Sequence, residues 1–125
     1  MTVRSLDHYT IRTADLEASV AFYVDALGLR HGERPAFTFP GAWLYCGDSP
    51  TVHLIGGNGP KDAGSGAIDH VAFRAGGLAE FTGRLRRLGI PFDERTPPGT
   101  RTRQVFVKDP DGLTVEVNFP GEAPA

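Results

Sequence analysis

His8-Tyr9-Thr10-Ile11-Arg12 returns sixty-two residues later as His70-Val71-Ala72-Phe73-Arg74, and the fold is read from that return. Each stretch alternates in the manner of a half-buried strand. In the first, Leu6, His8, Thr10 and Arg12 face one way, while Asp7, Tyr9, Ile11 and Thr13 face the other. The correspondence continues downstream. Leu27-Gly28-Leu29 with Glu33-Arg34 matches Leu88-Gly89-Ile90 with Glu94-Arg95 at an offset of 61, and Thr51-Val52-His53 matches Thr114-Val115-Glu116 at 63. Offsets this constant mark the duplication of one supersecondary unit.

The elements of each copy follow from local signals. Asp15 is placed to cap a helix over 15–28, with Leu16, Val20, Tyr23, Val24 and Leu27 as its apolar stripe and Gly28 as its stop. Strands are expected at 29–34, 42–46 and 51–55, separated by Gly or Pro turns. Gly56 to Gly66, GGNGPKDAGSG, reads as a flexible connector. The second copy opens with a strand at 67–75. A helix carrying Leu78, Phe81, Leu85 and Leu88 as its buried stripe ends at Gly89, and strands follow at 91–95, 102–108 and 113–119. The expected class is α+β: one domain over residues 1–125, made of module one (about 5–56), the connector 56–66 and module two (about 67–119).

Composition narrows the function. The chain has 125 residues, enough for one domain with a core, and its 16 glycines and 10 prolines lie between apolar runs rather than in one tract. A net charge of −2 provides no basic field for nucleic acid or an anionic membrane, so neither is an expected partner. No apolar run approaches the ~20 residues that span a bilayer, and the start lacks a signal-peptide core. A single cysteine, Cys46, excludes an intramolecular disulfide and multi-cysteine metal sites and suits a reducing, cytoplasmic setting. Cys46 itself reads as a small core residue.

Histidines and one glutamate are left to carry chemistry. The first strand of each module offers His8 or His70, and the last strand offers His53 or Glu116 at the matching place. Val115, Val117 and Phe119 form the apolar face of the last strand, which turns Glu116 away from the helix-packed side. His53 is turned the same way by Val52 and Leu54. Burying four such polar groups unpaired would be costly, whereas a shared divalent cation would satisfy them together. Imidazole and carboxylate suit Zn, Ni, Co, Mn or Fe(II) equally. His31 has no matching ligand in module two and reads as surface.

Other signals are weaker. Asp109-Pro110-Asp111-Gly112 is a turn, since a calcium loop would need Glu where Pro120 stands. No phosphate-loop, nucleophile-elbow or H-E-x-x-H motif occurs. Trp43 and Tyr45 share one strand face and either wall a substrate pocket or fill the core. Arg101 and Arg103, beside Pro97-Pro98-Gly99-Thr100, either clamp an anionic substrate or sit in a solvated loop.

Two strand-helix-three-strand modules resemble the vicinal oxygen chelate superfamily, the group of glyoxalase I, bleomycin resistance proteins and extradiol dioxygenases. Carrying the likeness are the first-strand histidines, the helix Asp15-Leu16-Glu17-Ala18-Ser19-Val20-Ala21-Phe22-Tyr23 up to Leu27-Gly28-Leu29, and Asp109-Pro110-Asp111-Gly112 followed by Glu116. The resemblance implies paired βαβββ modules in a U-shaped mixed sheet around a central metal cleft, and a homodimer. It also implies His8, His53, His70 and Glu116 as metal ligands, with His53 and Glu116 as the catalytic candidates. Glyoxalase I usually has Glu where this chain has His53, whereas fosfomycin-modifying and extradiol members typically bind metal through two His and one Glu, matching His8, His70 and Glu116, which would free His53 as a fourth ligand or an acid/base group. The implied activity is a metal-dependent lyase or isomerase acting on a small oxygen-rich substrate. An Fe(II) ring-cleaving dioxygenase using His8, His70 and Glu116, or a metal-free drug-sequestering protein, are the alternatives.

Overall fold

A computed structural model describes residues 1–57 and 59–124; Asn58, within the expected connector, and the terminal Ala125 lie outside the described residues. The chain divides into two compact units, Met1–Lys61 and Asp62–Ala125, and the division falls inside the connector. In the first unit β1 (Tyr9–Arg12) leads into α1 (Leu16–Ala21), which continues as a π-helical turn (Phe22–Ala26) before β2 (Arg30–Gly32), β3 (Gly41–Cys46) and β4 (Ser49–Ile55). The second unit repeats the order with β5 (Val71–Arg74), α2 (Leu78–Arg87), β6 (Asp93–Arg95), β7 (Arg103–Lys108) and β8 (Thr114–Phe119). Both are βαβββ modules, as the repeat requires.

Each module has one four-stranded mixed sheet, in the orders β1-β4-β3-β2 and β5-β8-β7-β6. The first strand runs parallel to the last, while the remaining neighbours are antiparallel. A parallel pair cannot be closed by a hairpin, and the helix crossover within each module supplies the longer return. Strand alternation then sorts the side chains. Val52 and Leu54 of β4, and Val115, Val117 and Phe119 of β8, are buried on the helix-packed side. Each such side chain taken from water is worth roughly 1.5–3 kcal/mol. In module two, Phe81 of α2 packs on Phe119 of β8, ring centroids 5.5 Å apart.

The first helix departs from the regular α-helix expected over 15–28. Asp15 does cap it, its carboxylate accepting from Ala18 N–H at 3.0 Å, and Gly28, with φ 78°, does stop it. Between them the hydrogen bonding widens, with Leu27 N–H donating to Phe22 O at 3.3 Å. The cause lies in the duplication. The offset between modules is 62 ahead of the helix and 61 behind it, so module one carries one extra residue, and a π turn absorbs a single insertion while keeping the downstream strands in place. The buried face is accordingly Ser19, Phe22, Tyr23 and Ala26, while Leu16, Val20, Val24 and Leu27 are half-buried.

Module two solves its helix start differently. Gly77 occupies the cap with φ 85° and has no side chain to offer. Glu122, beyond β8, supplies the carboxylate, accepting from Gly77 N–H at 3.0 Å and Leu78 N–H at 2.9 Å. Leu88, expected in the buried stripe, is 47% exposed because it already lies at the C-cap, past the last packed turn.

Three further expectations change. Cys46 is exposed rather than in the core, because it ends β3 opposite exposed Ser49 at the hairpin. The first and fifth strands are shorter than their alternation, spanning four residues each. The connector is tied down where it is described: Gly56 N–H donates to Pro40 O, Gly64 N–H to Asp111 O, and Ser65 Oγ accepts from Thr114 N–H. The turn at Asp109 forms as expected, with Asp109 Oδ1 accepting from the N–H groups of Asp111 and Leu113 at 2.9 Å. Among the described residues no helix is long and apolar enough to cross a membrane.

Candidate functional site

In module two the parallel register pairs Ala72 of β5 with Glu116 of β8. His70, two residues before Ala72, therefore belongs to the same sheet face as Glu116. Its Nε2 stands 3.3 Å from Glu116 Oε1, and its Nδ1 donates to Asp69 Oδ2 at 2.8 Å. That second bond fixes the tautomer and leaves a lone pair on Nε2. Glu116 is only 7% exposed. Its Oε2 accepts from Gln104 Nε2 at 3.1 Å and from Asn118 Nδ2 at 2.7 Å, so the two amides hold the carboxylate in one orientation with Oε1 toward His70.

Module one repeats the placement with different chemistry. Thr10 pairs with His53 as Ala72 pairs with Glu116, and His8 is again two residues ahead. His8 Nδ1 donates to Asp7 Oδ1 at 2.7 Å, freeing its Nε2. His53 lies in a ring stack: its centroid is 3.7 Å from that of His8 and 4.0 Å from that of Trp43, with interplanar angles of 13° and 11°. His53 Nε2 donates to Pro50 O at 2.9 Å, which makes Nδ1 the acceptor. Burial, and next the neighbouring His8, hold the His53 pKa below its ordinary 6.5, against the raising influence of the Pro50 carbonyl and Asp7. At neutral pH His53 is therefore an uncharged imidazole.

Beside the module-two pair lies a cavity of about 520 Å³, walled by His70, Glu116, Phe92, Phe106, Arg95 and Lys108 among others. Registers place Phe106 opposite Glu116 and Trp43 opposite His53, so each module sets an aromatic ring beside its last-strand candidate ligand. A second cavity of about 570 Å³ opens past Gln104 and Asn118 toward Arg74.

The expected ligands thus stand as two pairs, His8 with His53 and His70 with Glu116. Among the described residues no group of three or more His, Cys, Asp or Glu side chains is gathered to hold a metal ion. Trp43 belongs to the site face through its stack on His53. Tyr45 is turned to local structure, its hydroxyl donating to Glu33 O at 2.6 Å under Arg30. Arg101 is exposed, while Arg103 begins β7 and spends its guanidinium on Glu94 at 3.2 Å and Thr96 at 3.1 Å. His31 is exposed on β2.

Sequence reading missed the residues that orient the ligands. Asp7 and Asp69 sit at the same offset of 62 as His8 and His70, and extending the repeat by one residue finds them. Strand parity put Asn118 on the Glu116 face. Gln104 and Phe106 needed the β7–β8 register, which no motif announces.

The donor set fits a divalent metal. His8 and His70 each have Nδ1 bonded to a carboxylate, the outer bond that metal-bound imidazoles ordinarily keep, and Glu116 is oriented by amides.

Comparison with known proteins bears on the family and the fold. The model of the family described as Glyoxalase/Bleomycin resistance protein/Dioxygenase superfamily matches residues 5–117. A lactoylglutathione lyase of Salmonella typhimurium is 31% identical over 119 residues, covering 88% of either chain. A variant of the fosfomycin resistance protein FosX from Listeria monocytogenes, complexed with Mn(II) and a dihydroxypropylphosphonic acid, shares the fold with a TM-score of 0.76. Its identity is 17%, over 95% of this chain and 94% of its own. TnmS3, an antibiotic binding protein from a Streptomyces species, shares it with a TM-score of 0.72 at 19% identity, over 96% and 98% of the two chains.

Proposed function

The chain belongs to the Glyoxalase/Bleomycin resistance protein/Dioxygenase superfamily, and from that premise we propose that it is a metal-dependent lyase or isomerase. Its substrate is a small molecule presenting two neighbouring oxygens. The observation that carries this reading is Glu116, a buried carboxylate oriented by two amides and facing His70 Nε2 at 3.3 Å. A buried anion is ordinarily paired or bound to a metal. The Salmonella relative is named for lactoylglutathione lyase activity, and the FosX variant was complexed with Mn(II).

By the family resemblance, the candidate holders of a divalent ion, Zn, Ni, Co, Mn or Fe, are His8 of module one and His70 and Glu116 of module two, with His53 as a further ligand or as the proton-transfer group. When bound, the ion polarises substrate oxygens and stabilises the negative charge that develops on them. The chain's own residues supply the rest. Asp7 and Asp69 keep the imidazoles of His8 and His70 in the ligating tautomer. Uncharged His53, steadied by Trp43 and the Pro50 carbonyl, accepts a proton at Nδ1. A homodimer and a cytoplasmic setting belong to the same reading, the latter in keeping with an exposed, unpaired Cys46.

Metal analysis of protein purified without added metal tests it, with His70→Ala as comparison. A stoichiometric metal in the native protein that is lost in the variant supports the enzyme. A metal-free native protein that still binds ligands would be a sequestering protein instead, and bound Fe(II) with oxygen uptake on catechol would make it a ring-cleaving dioxygenase.

A further inference from the structure

We propose that the cavity beside His70 and Glu116 selects a substrate bearing a carboxylate, taken by Lys108 and Arg95 while two neighbouring oxygens face the ligand pair. The inference rests on the proposed function and specifies its substrate class.

The two cations reach one chamber from different strands. Register sets Lys108 opposite Thr114 and Phe106 opposite Glu116, and both cations line the cavity with the ligand pair. Lys108 Nζ donates to Thr114 Oγ1 at 2.6 Å, which uses one of its three donors and fixes the ammonium. Arg95 lies over the Phe106 ring, 5.0 Å from its centroid, a stacked pose that leaves the guanidinium edge for a planar oxyanion. Neither forms an ion pair among the described residues, whereas Arg84 and Arg103 are paired with Glu80 and Glu94. Phe92 and Phe106 add apolar wall, and about 520 Å³ suits a small organic acid.

The charge balance makes the selection conditional on metal. Three carboxylates, Asp69, Asp93 and Glu116, line the cavity against two cations, so the chamber by itself repels an anion. A divalent ion at His70 and Glu116 reverses the sign. Module one has Tyr45 at the place of Lys108, so this arrangement belongs to module two.

Calorimetry on the full-length zinc-loaded protein tests the proposal with catechol and 3,4-dihydroxybenzoate, which share the oxygen pair and differ in the carboxylate. The acid is expected to bind about tenfold more tightly, the gain of one charge-assisted contact, and the preference is expected to shrink with added salt. Lys108→Met with Arg95→Met abolishes the preference, the acid losing more affinity than catechol; Arg74→Met, at the other cavity, leaves the preference intact. Metal-free protein shows no preference for the acid. Equal affinities in the wild type, a salt-independent preference, or one surviving the double substitution overturns the carboxylate site while leaving the metal centre standing. If zinc loads and neither compound binds, the two-oxygen reading fails and takes the carboxylate site with it.

Discussion

Replacing Glu116 by alanine and by glutamine separates its structural work from its chemical work. Alanine leaves Gln104 Nε2 and Asn118 Nδ2, now 3.1 and 2.7 Å from the carboxylate, without their acceptor at a position only 7% exposed. A buried donor left unmade costs about 1–3 kcal/mol. Because water entering the adjoining cavity recovers part of the loss for two such donors, the expected destabilisation is roughly 2–4 kcal/mol. Glutamine keeps the volume. Its carbonyl takes the place of Oε2 and accepts both amides, while its NH2 turns toward the lone pair of His70 Nε2, so stability should stay within about 1 kcal/mol of wild type. The same arrangement would ruin the proposed metal site, since a donor N–H then points where a carboxylate oxygen did. Losing even an outer-shell partner typically costs 10–100-fold in metal affinity, and loss of this charged ligand should cost at least about 100-fold. Urea unfolding with matched m-values measures the first effect, and competitive zinc titration measures the second. Equal stabilities of the alanine and glutamine variants would refute the hydrogen-bonding role. Native zinc affinity in the glutamine variant would refute Glu116 as a ligand.

In the metal-free protein, His53 should titrate below 6.5 by NMR, and His8→Gln should move it upward by removing the neighbouring imidazole, the second cause of the shift after burial. Since folding depresses this pKa, the unfolded chain binds more protons between the two values; the His53 contribution to stability is complete above pH 6.5 and declines as pH falls toward the folded pKa. Glu122→Ala should destabilise by about 1–2 kcal/mol and Asp15→Ala by about 1 kcal/mol in chemical denaturation, because Glu122 accepts from two helix N–H groups and Asp15 from one.

The duplicated architecture was legible because strand alternation and helix stops are local properties. Val52 and Leu54 flanking His53, and Val115 and Val117 flanking Glu116, announce which face each ligand takes without knowledge of any partner strand. The hidden features depend on contacts distant in sequence or on counting. Glu122 caps a helix 44 residues upstream, and no local signal joins it to Gly77. The widened turn at Phe22 was encoded in the step from offset 62 to 61, yet apolar spacing looks helical on both sides of an insertion. Cys46 shares strand parity with buried Ala42 and Leu44, but the strand ends there and burial ends with it.

Duplication supplied equal positions, and divergence has filled them unequally. Module two surrounds its ligand pair with hydrogen bonds, from Asp69 through His70 to a carboxylate held by Gln104 and Asn118. Module one surrounds its pair with ring faces, His8 and Trp43 sandwiching His53. A fixed anion attracts a cation and anchors it. A desolvated imidazole beside another imidazole resists positive charge, so a proton accepted at His53 is held weakly and readily passed on. Under the proposed function, this physical difference favours anchoring by His70 and Glu116 and, of the two roles open to His53, proton transfer. A substitution that exchanged these environments, such as Trp43→Gln, should strengthen proton retention at His53, read as a rise in its NMR-titrated pKa, without touching the module-two pair.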